Sequence, residues 1–380
     1  MEFIPSRFLT VGVELELQLL NPEGLDLING IQPLIERYPD SSYIKPEFIQ
    51  NTVEIASKIG DKIAHVHDHL VYLTNELKQV CRELGMGICA AGTHPFSKQL
   101  ALITPLPRYL KMEKVSGFLG HNQITYATHV HIGVQSKDEA MYLMCALKAY
   151  LPLLISLSAS SPFWRGYDTG FASYRQRILS ATRSYGIPPT FETWEQFVDF
   201  FYASKSAGMI TTINDIHWDI RPRPHLGTVE VRIMDAQPTI TEAMELAAFI
   251  RVLAGYLLEN RDGETGEMPY ALPWWIEKDN CFTASRLGLN ANCIIDKDGT
   301  FRPIFDIYRE VLSEIKMHAD DLGESSYINL LEKRITEKNI SYIRQRNKFS
   351  ETKSFEEVVS LLVGELENDL YTDNLLNSQS

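Results

Sequence analysis

Three segments of the chain alternate between apolar and polar residues, which is the period of a β-strand with one buried face. They are residues 9–19, 126–135 and 227–235. In the first segment, Val13 and Leu15 would point to one side and Glu14 and Glu16 to the other. Weaker strand candidates are residues 49–56, 87–92 and 216–221. The alternation predicts a sheet with one face packed against helices and the other face open to water.

Longer segments repeat apolar residues at intervals of three and four, as amphipathic helices do. The predicted helices span residues 62–84, 138–158, 239–257, 327–345 and 355–371. Thr239 and Glu242 have the spacing of a capping box, which predicts that the third helix begins there. Strand groups separated by long helices favour an α+β fold. No repeat or linker divides the chain, so we expect one domain over residues 1–372 and a polar tail over residues 373–380.

Composition and charge narrow the class of protein. The 380 residues carry 36 Lys and Arg against 49 Asp and Glu, a formal net charge of −13, which argues against nucleic acid as a partner. Glu2 and Pro5 stand where a secretory signal would need a basic head and an apolar run, so we expect a cytoplasmic protein. The apolar stretch 140–158 is interrupted by Lys148 and Pro152, which favours a buried helix, and we expect no membrane partner.

The five cysteines are odd in number and form no C-x-x-C pair. Their spacing argues against a disulfide framework and against a zinc ribbon. We therefore expect buried free thiols, at Cys81, Cys89, Cys145, Cys281 and Cys293.

The polar sides of the predicted strands carry carboxylates, imidazoles and an arginine instead of the Thr, Lys and Ser of an ordinary solvated face. Together they offer hard oxygen ligands and one nitrogen, a set suited to Mg²⁺ or Mn²⁺ rather than to structural zinc. The residues are Glu14, Glu16, Glu54, His131 and Glu230. Arg232 would lie beside the metals and could hold a phosphate with two N–H groups. The alternative is an exposed face with neutralising charge pairs.

Other motifs are weak. Gly85, Gly87 and Ala90 match a G-x-G-x-x-A string, but the string follows a predicted helix and enters a strand, the reverse of the dinucleotide-binding context. The sequence has no G-x-x-x-x-G-K-[ST] loop and no G-x-S-x-G elbow, so bound phosphates would be held by metal and arginine. His129, in an H-x-H strand, is compatible with a hydrogen-bonding role in the core and with metal ligation.

Several strings of residues resemble those of a known family, in the same order along the chain. They are VGVELELQ at 11–18, GTHPF at 92–96, HVHIG at 129–133, HWDIRP at 217–222 and GTVEVRIMD at 227–235. With residues 156–175, these strings resemble the bacterial carboxylate-amine ligase family. This is the glutamate-cysteine ligase type 2 group, which is related in fold to glutamine synthetase. The similarity extends from about residue 8 to about residue 331.

The resemblance implies an antiparallel sheet of about six strands, curved into a funnel, with helices packed on its outer face. It also implies that ATP and Mg²⁺ bind inside the funnel, with Mn²⁺ as an alternative ion. In this family the γ-phosphoryl group of ATP is transferred to a carboxylate, and an amine then displaces phosphate to leave an amide. Glutamate and cysteine are the expected substrates, with another amine in place of cysteine as the alternative, and weak formation of γ-glutamylcysteine is the expected activity. The relatives indicate a homodimer.

The resemblance also assigns roles to individual residues. It implies that the five residues proposed above bind metal, namely Glu14, Glu16, Glu54, His131 and Glu230. It also implies that Arg232, Arg175 and Glu54 are catalytic, and that the two arginines contact phosphate or the substrate carboxylate. Asn280 and Arg286 lie in a family motif that contacts substrate or nucleotide.

Four positions depart from the family pattern. Glu47 stands where the family usually has Asp, and Gln50 stands where a Glu is common, so one carboxylate is lost. Cys281 replaces a basic residue and Leu287 replaces a ring in the motif that contacts substrate or nucleotide. Two other functions share the same metal site. One is an ATP-dependent phosphotransferase acting on a small carboxylate or guanidino substrate, and the other is a nucleotide-binding protein without turnover.

Overall fold

The computed structural model describes residues 1–261 and 272–377, with side chains to residue 372, and it has the expected α+β architecture. The strands are β1 (Val11–Leu20), β2 (Ile44–Pro46), β3 (Thr52–Ala56), β4 (Gly87–Cys89), β5 (Thr128–Gly133), β6 (Phe163–Trp164), β7 (Tyr167–Asp168), β8 (Tyr185–Gly186), β9 (His217–Trp218), β10 (Ile220–Arg223), β11 (Thr228–Val231), β12 (Asn292–Ile294) and β13 (Phe301–Pro303). The helices are α1 (Ile31–Ile35), α2 (Ile63–Glu83), α3 (Pro107–Ser116), α4 (Phe118–His121), α5 (Lys137–Lys148), α6 (Leu151–Ser158), α7 (Arg175–Leu179), α8 (Trp194–Ser206), α9 (Ile240–Glu259), α10 (Trp274–Leu287), α11 (Ile304–Leu322), α12 (Ser325–Thr336), α13 (Ser341–Thr352) and α14 (Phe355–Asn377).

Seven strands form one antiparallel sheet in the order β10-β11-β5-β1-β3-β2, and β4 pairs with the end of β1. The three alternating segments correspond to β1, β5 and β11, and the weaker candidates contain β3, β4 and most of β9 and β10. The sheet has one strand more than the six expected. The strand without an alternating signal is β2, whose three residues are too few to show a period.

Helices α2, α5 and α9 cover one face of this sheet. The apolar side chains of that face are buried, among them Val13, Val130 and Val229. The predicted start of α9 is correct, because the Glu242 N–H donates to the Thr239 hydroxyl (3.0 Å). The carboxylate of Glu242 does not complete a capping box and instead accepts a hydrogen bond from Arg344 (2.8 Å).

The last helix, α14, contributes to the amino end of α9. The Asp369 carboxylate accepts hydrogen bonds from the N–H groups of Ile240 (2.8 Å) and Thr241 (3.2 Å). The first N–H groups of a helix have no partner within the helix, and a negative charge is favourable beside them. Asp369 therefore completes the cap of α9, the central helix, although it lies 129 residues after Ile240 in the chain.

Two of the predicted helices are each divided in the structure. Residues 138–158 contain α5 and α6, which are bent by 64° because Pro152 has no N–H to continue the first helix. Residues 327–345 belong to α12 and α13, and Lys338 lies between them with a φ of +52°, which a right-handed helix cannot contain. The side chains of the proposed polar tail, residues 373–380, lie outside the described residues.

All five cysteines are free and buried, as predicted. Among the helices of residues 1–261 and 272–377, none is by itself both long enough and apolar enough to cross a bilayer. The bent pair α5 and α6 meets that test jointly, by length and composition only.

Candidate active site

The strand register places the predicted site residues side by side on the second face of the sheet. The opposed pairs are Glu14 with His129, Glu16 with Glu54, His131 with Glu230, and Glu230 with Arg221. Directly opposed side chains in antiparallel strands are about 5 Å apart, so each pair can interact. The expectation that this face is open to water is correct only in part, because Gln123 and Leu179, which lie outside the sheet, line a cavity together with residues of this face. Glu54, His131 and Glu230 are all buried.

Glu14, His131 and Glu230 form a candidate metal centre, with one ligand atom from each lying within 4.8 Å of the others. His131 Nε2 is 3.8 Å from Glu14 Oε1 and 3.9 Å from Glu230 Oε1. This nitrogen is buried and has no hydrogen-bond partner among the described residues, whereas Nδ1 lies 3.1 Å from the Thr228 hydroxyl. Donation from Nδ1 would leave a lone pair on Nε2, so two carboxylates and one imidazole fit a divalent cation.

His129 borders this centre and also lines the cavity described below. Its Nδ1 is 3.3 Å from Glu14 Oε2, and its buried Nε2 has no partner in the described part of the chain. Burial and the nearby charge of Arg232 lower the pKa of His129 to about 4, so the ring is neutral. Burial alone would raise the pKa of Glu14, but the neighbouring imidazoles of His129 and His131 outweigh it and keep that pKa well below its usual range.

Glu16, Glu54 and Glu47 form a second acidic group next to the metal centre. Burial and the charge of Glu47 raise the pKa of Glu16 to about 8. Burial and the charges of Glu14 and Glu47 raise the pKa of Glu54 well above its usual range, and the ammonium group of Lys45, 3.4 Å away, lowers it only in part. Crowding of this kind would be relieved by a cation bound between the carboxylates. Among the described residues, however, only Glu14, His131 and Glu230 bring three possible ligand atoms within 4.8 Å of one another.

Three guanidinium groups share the Glu230 carboxylate. Arg221 makes a two-pronged contact (2.8 and 3.1 Å), Arg223 donates at 3.1 Å, and Arg232 donates to the same carboxylate. Burial would raise the pKa of Glu230, but Arg232 and Arg221 keep it well below its usual range. Buried Nε atoms of Arg223 and Arg232 have no partner among the described residues. The three guanidinium groups carry more positive charge than the one carboxylate can neutralise, so this part of the site can bind an anion.

A cavity of about 60 Å³ joins the acidic group to the guanidinium groups. It is lined by Glu16, Glu47, Phe48, Ile49, Thr52, Gln123, Thr125, His129, Arg175, Leu179, Tyr185 and Arg232. Arg175 is buried, and its Nη1 donates to the Ile233 carbonyl (3.0 Å), while its Nε has no partner in the described residues. The cavity lining therefore combines groups suited to cations with groups suited to anions.

The structure does not bring Asn280 and Arg286 to this cavity. The side-chain amide of Asn280 donates to the Ile294 carbonyl and accepts from the Ile294 N–H, both at 2.8 Å, so it joins α10 to β12. Arg286 is exposed. Gln50 donates to the Ile103 carbonyl (2.9 Å), and Glu47 supplies a carboxylate to the cavity wall.

Sequence reasoning missed Arg221 and Tyr185. Arg221 shares its strand side with Asp219 and Arg223, and this period-two pattern was visible in the sequence. Tyr185 lies outside the main sheet, and its ring stacks on His217 with centroids 5.1 Å apart. No local pattern marks Tyr185, because its position depends on the fold of the segment before α8.

Replacing Glu14 with glutamine is expected to lower affinity for Mn²⁺ at least about tenfold, because one charged ligand is lost. The melting temperature should change little, because the packing of β1 comes from its opposite side. Mn²⁺ titration followed by electron paramagnetic resonance checks the affinity, with exposed Glu23→Gln as the matched control. Unchanged Mn²⁺ affinity would contradict the assignment. Glu230→Gln is a poorer test, because it leaves buried guanidinium groups without a charged partner.

The chain is similar in sequence to one protein family along most of its length and to bacterial proteins of nearly equal length. A profile of the glutamate-cysteine ligase family 2 (GCS2) matches residues 10–359. A Trichormus variabilis protein, provisionally named glutamate–cysteine ligase 2, is 49% identical over 371 residues, which are 97% of this chain and 96% of that protein. The provisionally named glutamate–cysteine ligase 2 of Bdellovibrio bacteriovorus is 34% identical over 97% of each chain.

Solved structures with the same fold support the predicted architecture. A bifunctional glutathione synthetase from Pasteurella multocida matches 95% of this chain with a TM-score of 0.73 and 14% identity, and the chain spans about half (52%) of that protein. A glutamate–cysteine ligase from Francisella tularensis, solved with AMP, matches 100% of this chain and 96% of its own with a TM-score of 0.69 and 14% identity. At this identity the structures show the fold alone. The family match and the 49% identical relative establish the family as well as the fold. The chain belongs to the glutamate-cysteine ligase family 2 and is an enzyme of the carboxylate-amine ligase type.

Proposed function

We propose that the protein is an ATP-dependent ligase that joins the side-chain carboxylate of glutamate to the amine of cysteine and forms γ-glutamylcysteine. The observation that carries this proposal is the mixed charge of the cavity lining, which combines the carboxylates of Glu16 and Glu47 with the guanidinium groups of Arg175 and Arg232. The triphosphate of ATP with bound divalent cations also combines both charges, so its phosphoryl end can approach this lining without net repulsion. The names of the relatives support the choice of glutamate and cysteine.

ATP and Mg²⁺, or Mn²⁺ in its place, are the proposed partners of the two acidic groups. Glu14, His131 and Glu230 would hold one ion, and Glu16 and Glu54 would hold another. Bound divalent cations neutralise phosphate charge and polarise phosphoryl oxygens. The carboxylates with raised pKa values, Glu16 and Glu54, would become fully ionised when a cation binds, because the added positive charge offsets their burial.

Arg232, Arg175 and Glu54 are the proposed catalytic residues. Arg232 donates to Glu230, which fixes its orientation, and its free Nε can contact an oxygen of the transferring phosphoryl group. Arg175 is anchored by the Ile233 carbonyl and can contact the carboxylate that accepts the phosphoryl group. Transfer makes a bond between phosphorus and the carboxylate oxygen and releases ADP. The amine then attacks the acyl phosphate, and phosphate leaves as the amide forms.

The cellular setting and assembly are part of the same proposal. The substrates are small molecules that occur together in the cytoplasm, which is where we place the protein. The formal net charge of −13 supports small-molecule substrates over nucleic acid. We propose a homodimer, and sedimentation equilibrium over a range of protein concentrations measures that state.

The reaction is tested by incubating the protein with ATP, Mg²⁺, glutamate and cysteine, and by measuring phosphate and γ-glutamylcysteine. Glutamate with hydroxylamine in place of cysteine should give a hydroxamate, because hydroxylamine traps an acyl phosphate. Phosphoryl transfer without amide or hydroxamate would favour the phosphotransferase alternative. ATP binding without ADP formation, across a panel of amino acid pairs, would favour a nucleotide-binding protein without turnover.

Removal of divalent cations is expected to abolish ATP binding. Without them, the triphosphate would meet the carboxylates of Glu14, Glu16, Glu47 and Glu54 in a partly buried site. Calorimetric titration of ATP in EDTA should give no binding heat, and excess Mg²⁺ should restore it. Tight ATP binding in metal-free buffer would contradict the proposed arrangement of the site.

A further inference from the structure

Two charged side chains near the cavity form no side-chain hydrogen bond and no ion pair among the described residues. Arg177, on α7, forms no side-chain hydrogen bond and no ion pair within 4.0 Å there, and its Nε is buried. Asp219, between β9 and β10, is partly buried and its carboxylate also has neither kind of partner in the described chain. An unpaired charge that is removed from water is costly, so an unpaired cation and an unpaired anion together indicate a charged ligand.

Backbone contacts fix Asp219 at the border of the cavity. Its carbonyl accepts a hydrogen bond from the Arg232 N–H (2.8 Å), and its N–H donates to the Gly186 carbonyl (2.9 Å). Arg232 lines the cavity, as does Tyr185, the neighbour of Gly186. Asp219 is therefore held between two backbone segments that each contribute a side chain to the cavity wall.

Arg177 belongs to α7, the helix that also carries Arg175, a residue of the cavity wall. Residues two apart on a helix point in different directions, so the link of Arg177 to the site is its electrostatic interaction with Asp219. The Arg177 guanidinium lies over the Phe282 ring, 5.2 Å from its centroid, a contact that orients the guanidinium without using its N–H groups. Its N–H groups therefore remain available to a ligand.

Asp219 and Arg177 interact electrostatically without touching. Burial raises the pKa of Asp219 to about 6, against the lowering effect of Arg175 and Arg177. Burial lowers the pKa of Arg177, and the negative charge of Asp219 opposes this change. Each group thus responds to the charge of the other across a gap wider than an ion pair. A ligand with a positive and a negative group close together fits such a gap.

We propose that Asp219 binds the α-ammonium group, and Arg177 the α-carboxylate group, of the amino acid whose side-chain carboxylate is phosphorylated. This inference rests on the proposed ligase function and adds the residues that select its substrate. An α-amino acid carries both groups on one carbon, so it can contact both residues at once. Its side-chain carboxylate remains free to reach Arg232. The pair would select free amino acids over dicarboxylic acids, ω-amino acids and N-acylated amino acids.

Calorimetry with ligands that lack one group tests this selection. The full chain, with Mg²⁺ and a non-hydrolysable ATP analogue, is titrated with L-glutamate, with glutarate, which lacks the ammonium group, and with 4-aminobutyrate, which lacks the α-carboxylate. Native protein should bind L-glutamate roughly 10- to 100-fold more tightly than either analogue, the usual effect of one charged hydrogen-bonding contact.

Two variants should give a crossed pattern that a purely structural role would not produce. Asp219→Asn should weaken binding of L-glutamate and 4-aminobutyrate by roughly 10- to 100-fold and spare glutarate. Arg177→Met, which keeps an unbranched stem against Phe282, should weaken binding of L-glutamate and glutarate and spare 4-aminobutyrate. Asp199→Asn, an exposed Asp on α8, is the matched control and should bind all three ligands as the native protein does. Melting temperatures verify that each variant is folded.

The outcomes separate this inference from the ligase proposal. The crossed pattern without phosphate release from ATP would support the binding pair and overturn the ligase function. Hydroxamate formation from L-glutamate with a native Michaelis constant in both variants would overturn the binding pair and leave the ligase function intact. Absence of L-glutamate binding to the native protein, or equal affinity for L-glutamate and glutarate, would also overturn the pair.

Discussion

Replacing Arg232 with alanine is expected to lower kcat about 1000-fold and to raise the apparent KM for ATP much less. The factor corresponds to ~4 kcal/mol of transition-state stabilisation. Arg232 lines the cavity and is oriented by Glu230, and its Nε has no other partner among the described residues. A contact of this kind is strongest when charge develops on the transferring phosphoryl group, so its loss acts on turnover. Hydroxamate formation from ATP, Mg²⁺ and glutamate measures the effect.

Two further variants show whether the effect belongs to the phosphoryl contact. Arg232→Lys should recover little activity, because an ammonium group cannot reproduce a two-pronged contact. Arg223→Met removes another guanidinium that contacts Glu230 (3.1 Å) but does not line the cavity, so its loss of turnover should be much smaller. Native-level hydroxamate from the Arg232→Ala protein would exclude Arg232 from the mechanism.

Replacing Val231 with aspartate is expected to unfold or aggregate the protein. Val231 is completely buried, and its strand neighbours Val130 and Ile220 are also buried, so a carboxylate there would have apolar surroundings. Burying an unpaired charge costs about 4 kcal/mol or more, which is comparable to the whole stability of many domains. Circular dichroism and sedimentation should show loss of the native state.

Val231→Ala is the control for that variant. It removes two methyl groups from the same site and should cost about 2 kcal/mol. The protein should therefore remain folded and should keep Mn²⁺ affinity, because Glu230 and Arg232 point to the other face of the sheet. A folded Val231→Asp protein with native Mn²⁺ binding would mean that this side of β11 is not part of the core.

The main sheet and its two faces could be predicted because their signal is local. Alternation in β1, β5 and β11 follows directly from the side-chain period of a strand, and the buried side was correct at Val13 and Val229. Glu14, His131 and Glu230 could also be placed on one face, because each lies at an alternating position. The family follows from strings of residues that reach beyond any one strand, and the profile match confirms it.

The parts that could not be predicted depend on contacts between distant residues. Periodicity shows that Glu54 and Glu230 face away from the core, but it does not show that both are buried. The contacts of Asn280 could not be predicted either. Its side-chain amide makes two hydrogen bonds with the backbone of Ile294, and no local sequence pattern indicates that α10 packs against β12. Apolar spacing continues from α5 into α6 although the first helix ends before Pro152, because spacing does not report a missing N–H group.

The cap that Asp369 supplies to α9 bears on how the protein is synthesised. When the first turn of α9 leaves the ribosome, the carboxylate that accepts the N–H groups of Ile240 and Thr241 has not yet been translated. The central helix and the sheet face that it covers are then incomplete, so apolar surface stays exposed for the time needed to add those 129 residues. We expect nascent chains stalled before residue 369 to be protease-sensitive and to depend on chaperones that shield apolar surface.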